Sequence, residues 1–301
     1  MRFQGVFSVL PTPFTKTGDV DTQSLRRVVD LFVAAGVNGL TVLGVTGEVA
    51  RLTEHERNVV LETVVEQANG KVPIIAGASA DGTRKCIDFC RRAIAMKASA
   101  VMVSPPRMPK VNSDAVVAHY KALADAVDTS IVIQDYPPIS GYSMEPSLLA
   151  RIARGTSRAR TIKLEDPPTP LKTSRILAES KDIEVDILGG LGGVYLIEEL
   201  MSGASGVMTG FAYPEVLVEV VKLFRSGNTK SAADAFYRHV PLMRFEFQEG
   251  IGMSIRKEIL HRRGVLSDAN IRAPGAVADS ATLAALDSIL EWMRDKQRSS
   301  V

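Results

Sequence analysis

Eight short apolar runs of strand length recur through the 301 residues, at 5–10, 39–43, 72–76, 100–103, 130–133, 160–164, 183–188 and 206–208. They are near-continuous rather than alternating, as expected of parallel strands covered on both faces. Between them lie segments with helical spacing. Leu25, Val28, Val29, Phe32 and Val33 form one stripe, which ends at Gly36. Thr53, with Glu56 three residues on, forms a capping-box pattern ahead of Val59, Val60 and Val64. Ser113 and Ser143 mark two further helix starts. This alternation predicts an α/β fold, a (β/α)8 TIM barrel. A doubly wound sheet would carry a Gly-rich phosphate loop after its first strand. Here that strand runs into Leu10-Pro11-Thr12-Pro13-Phe14 instead. After about Arg225 the strand signal stops, and 229–249, 251–262 and 282–294 read as helices punctuated by Gly250, Gly264 and Ala273-Pro274-Gly275. The expected division is a barrel over 1–226 and a C-terminal helical appendage over 227–301, its polar end at 295–301 frayed.

Thirty-six basic residues face 34 acidic ones, so no net field recommends nucleic acid or an anionic membrane as a partner. The first residues show no basic region followed by a long apolar stretch, and no run is long enough to span a bilayer. The expectation is a cytoplasmic protein. Cys86 and Cys90, four apart on a predicted helix, read as small core residues suited to a reducing compartment. The four histidines do not cluster, which argues against a metal centre or a Ser/His/Asp triad. No phosphate-binding or dinucleotide motif calls for a cofactor.

Chemistry in such a barrel gathers just after the C-terminal ends of the strands. Thr161-Ile162-Lys163-Leu164-Glu165-Asp166 places one lysine in an apolar strand near that end. Alternation puts Lys163 and Glu165 on one face. A lysine there either snorkels to water or is kept dry for chemistry. Dry, its neutral amine can attack a ketone, and the resulting iminium draws electrons from the adjacent carbon. Gly44-Val45-Thr46-Gly47-Glu48, after the second strand, offers amides and a hydroxyl to a carboxylate. Gly189-Gly190-Leu191-Gly192-Gly193, after the seventh, offers close backbone approach at a helix start. Gln134 and Tyr136 share a face after the fifth, ahead of the stiff Pro137-Pro138 exit.

Together these pieces resemble the dihydrodipicolinate synthase and N-acetylneuraminate lyase family. The likeness runs from Gly5-Val6-Phe7 and Pro11-Thr12-Pro13-Phe14, through the 44–48 and 137–141 segments, to Ile162-Lys163 and 203–210. It implies a homotetrameric class I lyase in which Lys163 is the Schiff-base lysine. Thr46 with its neighbours Val45 and Gly47 would hold the carboxylate of a small 2-oxo acid, and the backbone at Gly189 and Met208 would line the same site. The departures are specific. The family tyrosine falls at Gln134, its hydroxyl partner at Val45, a tyrosine shared across the subunit interface at Arg107, and the synthase arginine at Ile139. The Gln-Asp-x-Pro variant resembles a branch of 2-keto-3-deoxy-sugar-acid dehydratases, with Glu165 in place of the missing tyrosine as proton shuttle. Dehydration of such an acid, or pyruvate-dependent aldol cleavage, is the expected reaction. Arg107 would bind a distal carboxylate or make an interface ion pair. The alternative is a barrel without catalysis that binds a 2-oxo acid as a sensor or scaffold.

Overall fold

The computed structural model describes residues 2–298. Eight parallel strands close on themselves in chain order. They are β1 (Gly5–Val9), β2 (Gly39–Val42), β3 (Ile74–Gly77), β4 (Ala100–Val103), β5 (Ser130–Asp135), β6 (Thr161–Leu164), β7 (Asp186–Gly189) and β8 (Gly206–Thr209). The helices between them are α1 (Thr22–Ala34), α2 (Glu54–Ala68), α3 (Thr83–Ala95), α4 (Ser113–Ala126), a single turn α5 (Pro137–Ser140), α6 (Pro146–Gly155), α7 (Thr169–Glu179) and α8 (Leu196–Met201). After β8 come α9 (Pro214–Arg225), α10 (Thr229–Glu246), α11 (Gly252–Arg262) and α12 (Ser280–Arg298). The expected (β/α)8 barrel with C-terminal helices is therefore what the chain forms.

Alternation divides the apolar residues between two cores. Inward side chains, among them Phe7, Val9, Ile75, Met102, Val132, Leu188 and Met208, form a buried cluster that fills the barrel. Outward ones such as Val42, Ile133, Ile162 and Ile187 pack under the helices. The start of α2 follows the capping rules. The Thr53 hydroxyl and the Glu56 carboxylate each accept the other's backbone N–H, the reciprocal box read from the sequence.

Several boundaries differ from the sequence reading. β5 runs two residues past 133, because the polar Gln134 and Asp135 stay in register by pairing inside the protein. β7 begins at Asp186 rather than 183, since the Ile183 N–H is spent on a turn to Ser180 and Asp186 anchors Arg2 and Gln4. α6 starts at Pro146 behind Glu145, not at Ser143, because proline is pre-set for the first helical turn. α10 ends at Glu246, three residues early, where the chain turns through Gly250 at φ +81°. α12 continues to Arg298, so the expected fraying does not begin at 295, and 299–301 lie outside the described residues. No helix among the described residues is long and apolar enough to cross a membrane.

Candidate active site

The β5–β6 register sets Gln134 beside Lys163. Both are inward and buried, at 2 % and 4 % exposure. The next inward position after Lys163 is Glu165, whose Oε2 lies 3.1 Å from the Lys163 Nζ. The Gln134 side-chain amide donates to that same oxygen at 2.8 Å. Ser104, just past β4, donates its hydroxyl to the Gln134 carbonyl at 2.9 Å. A continuous line therefore runs Ser104, Gln134, Glu165, Lys163. Because Ser104 donates to the amide oxygen, Gln134 must present its NH2 to Glu165.

Gly190 makes room for this arrangement. A Cβ built there would stand 2.2 Å from Glu165 Cγ. The neighbouring Gly189 is approached by Glu199 in the same way, its virtual Cβ 1.7 Å from Oε2. The close backbone approach expected of this glycine run is thus occupied by the protein's own carboxylates. Gly189 itself faces the helical layer, and Met208 lies wholly buried in the barrel filling.

Glu199 was not singled out by the sequence. It is 1 % exposed and accepts the Thr169 hydroxyl at 2.5 Å. Burial pushes its carboxyl up to about 7, against the Thr169 hydrogen bond, with Glu198 and Glu165 adding repulsion. Its acidic neighbours on a short amphipathic helix give no sequence sign of burial.

Gln134 opens onto a cleft of about 310 Å³ walled by Gly44, Val45, Ser79, Asp81, Ser104 and Arg107. Lys163 and Glu165 stand behind that wall, their side chains 5 % and 11 % exposed. The Arg107 Nε–H donates to the Ile139 carbonyl at 2.7 Å, which ties that loop to the segment after β5. A second open cleft shares Val45 and Ile139 and adds Thr46, Tyr136, Phe247 and Arg256. Burial raises the Tyr136 hydroxyl's pKa, and negative Glu165 and Glu249 raise it further.

The loop after β2 enters through Leu43 and leaves through Glu48, both left-handed at φ +60° and +56°. Each such residue costs about 1–2 kcal/mol. The amides of Gly47 and Glu48 close the turn onto Gly44 and Val45, so they are not free for a ligand. The buried Thr46 hydroxyl has no partner. Glu48 is held by a fully buried Lys257, Nζ to Oε1 at 2.5 Å, and by Arg51 at 2.7 Å. Burial pushes the Lys257 ammonium down to about 8, against the pull of Glu48.

Three lysines are buried among the described residues: Lys163, Lys172 and Lys257. Sequence reasoning found only the first. The other two sit on helices with mixed polar spacing, where a buried lysine looks like any surface one.

The chain is similar to known proteins along nearly its whole length. The model of the dihydrodipicolinate synthetase family matches residues 2–293. An L-2-keto-3-deoxyarabonate dehydratase of Azospirillum brasilense is 30% identical over 279 residues, covering 91% of this chain and 89% of that one. A 4-hydroxy-tetrahydrodipicolinate synthase of Methanothrix thermoacetophila is 30% identical over 295 residues, with 97% and 98% covered. Among solved structures, dihydrodipicolinate synthase from Rhodopseudomonas palustris superposes with a TM-score of 0.90 at 32% identity, with 96% and 97% covered. A monomeric dihydrodipicolinate synthase variant also gives 0.90, at 28% identity and 96% of each chain. The chain, with its closed barrel and its C-terminal helices, belongs to the dihydrodipicolinate synthetase family, a family of lyases.

Proposed function

We propose that Lys163 forms a Schiff base with a small 2-oxo acid, and that the reaction is dehydration of a 2-keto-3-deoxy sugar acid. The observation that carries this reading is the Gln134–Glu165–Lys163 contact. It sets a carboxylate 3.1 Å from the amine at the C-terminal end of β6. The amine attacks the keto carbon, and loss of water leaves an iminium. Glu165 then takes a proton from the adjacent carbon, the electron pair forms an enamine, and hydroxide leaves the next carbon as water once protonated. Hydrolysis of the iminium returns Lys163. The unpartnered Thr46 hydroxyl supports a carboxylate seat beside Val45 and Gly47. Arg107 and Ser104 line the cleft onto which Gln134 opens, where the distal hydroxyls would lie, and Tyr136 lines the neighbouring cleft with Thr46. Gly189 and Met208 would contribute backbone from behind.

Relatives at about 30% identity include a named dehydratase and named synthases alike. The preference for dehydration over pyruvate-dependent aldol cleavage, the other chemistry open to the same enamine, therefore rests on Gln134, Val45 and Glu165. A homotetramer in the cytoplasm is the proposed setting, and the free, buried Cys86 and Cys90 suit a reducing compartment. No resident cofactor is invoked.

The test is turnover of L-2-keto-3-deoxyarabonate and related acids by wild type, Lys163→Ala and Glu165→Gln. Loss of the nucleophile is expected to abolish turnover. Loss of the carboxylate is expected to lower kcat by about 10²–10⁴ with the fold intact. Undiminished turnover by Lys163→Ala would rule the mechanism out.

A further inference from the structure

Both groups that meet Lys163 inside the barrel are followed in the chain by a carboxylate that turns away: Asp135 after Gln134, and Asp166 after Glu165. A single ammonium holds both. Lys172, from the first turn of α7, sets its Nζ 2.6 Å from Asp135 Oδ2 and 2.6 Å from Asp166 Oδ2. Asp135 is fully buried and Lys172 is 8 % exposed. The Glu165 N–H donates to the Asp135 carbonyl at 2.9 Å, closing the two strand ends onto each other.

Desolvating an ammonium is expensive, and removing it would leave a buried carboxylate without its countercharge. Asp135 follows the inward Gln134 and so faces outward from β5, and Lys172 lines neither of the two clefts. Its reach is to the backbone positions from which Gln134 and Glu165 project.

We propose that Lys172 is a positioning residue: by tethering Asp135 and Asp166 from outside, it fixes the strand ends that aim Gln134 and Glu165 at the carbon beside the Lys163 iminium. The proposal rests on the Schiff-base reading of Lys163. It predicts that Lys172 governs the proton-transfer step and leaves the amine's own reaction intact. A merely structural ion pair would lower stability and leave the chemistry of the folded enzyme alone.

Pyruvate separates the two steps without the natural substrate. Borohydride trapping of the pyruvate adduct reports the Lys163 amine. Exchange of the pyruvate methyl protons in D2O, followed by NMR, reports the base acting on the iminium. In the full-length protein, Lys172→Met is expected to retain the Lys163 adduct while exchange slows about tenfold or more. Lys172→Arg, which keeps the charge, is expected to recover exchange to within about threefold of wild type. Asp166→Asn weakens only the tether to the Glu165 loop, and is expected to slow exchange severalfold. Its result decides the matter should Lys172→Met fail to fold. Wild-type exchange in folded Lys172→Met or in Asp166→Asn overturns the positioning role while leaving the Schiff base in place. A wild-type enzyme that forms no adduct overturns both.

Discussion

Glu165 Oε2 lies 3.1 Å from the Lys163 Nζ and accepts the Gln134 amide at 2.8 Å, and it is the glycine at 190 that admits the side chain carrying it. Gly190→Ala would press a methyl into Glu165 Cγ, with no flexible tip to give way. The expected outcome is a fall in kcat of about tenfold or more with the borohydride adduct retained. Wild-type kcat would show that Glu165 is not the group being positioned. Glu199 permits a pH prediction. Its carboxyl is raised from 4.5 to about 7, so the fold favours the protonated form. That contribution is present below about pH 4.5 and is lost as pH rises through 7, on the order of 3 kcal/mol in all. Glu199→Gln keeps a neutral partner for Thr169. Its denaturant midpoint is therefore expected to exceed that of wild type at pH 8 and to approach it at pH 4.5. At this scale the sequence was only partly legible. Lys163 stands out because a charge interrupts an apolar strand, whereas Lys172 and Lys257 are buried by tertiary packing that helical spacing does not announce. The Gln134–Glu165 contact depends on strand register, which residue order alone does not supply.

Among the elements, the C-terminal helices do more than follow the barrel. Lys257 of α11 reaches the left-handed Glu48, and Asn270 beyond it accepts from the same ammonium at 2.7 Å. Arg256 of α11 pairs with buried Glu246 at the end of α10, and Phe247 packs on Gly192 after β7. The loop bearing Val45 and Thr46 is therefore held in shape from outside the barrel. Lys257→Met would leave Glu48 buried without its cation, and a loss of about 3–5 kcal/mol is expected in chemical denaturation. In the protein that still folds, KM for the 2-oxo acid is expected to rise more than kcat falls, because Thr46 loses its support. A variant as stable as wild type, with unchanged KM, would contradict this. The helices were legible as helices from their apolar spacing and glycine breaks. Their grip on the β2 loop was not, because it joins residues some 200 positions apart through charges that a one-dimensional reading assigns to the surface.

For the whole molecule, eight apolar runs at even intervals left little choice but a closed parallel barrel, and every strand is found near its run. The misplaced ends are instructive: Gln134 and Asp135 were read as loop because they are polar, yet polarity in a strand's last residues marks the site. Among the similar solved structures is a monomeric dihydrodipicolinate synthase variant, so the homotetramer proposed here is a matter for direct measurement. A homotetramer is expected to show, by light scattering, four times the 32.5 kDa chain mass. A monomer would exclude the interface ion pair expected of Arg107 and leave it only its place on the cleft wall. One covalent bond, between the Lys163 nitrogen and the keto carbon, carries the proposed chemistry. Pyruvate and borohydride, followed by peptide mapping, are expected to give a single stable mass increase at Lys163; an unmodified Lys163, or an adduct at another lysine, would contradict it.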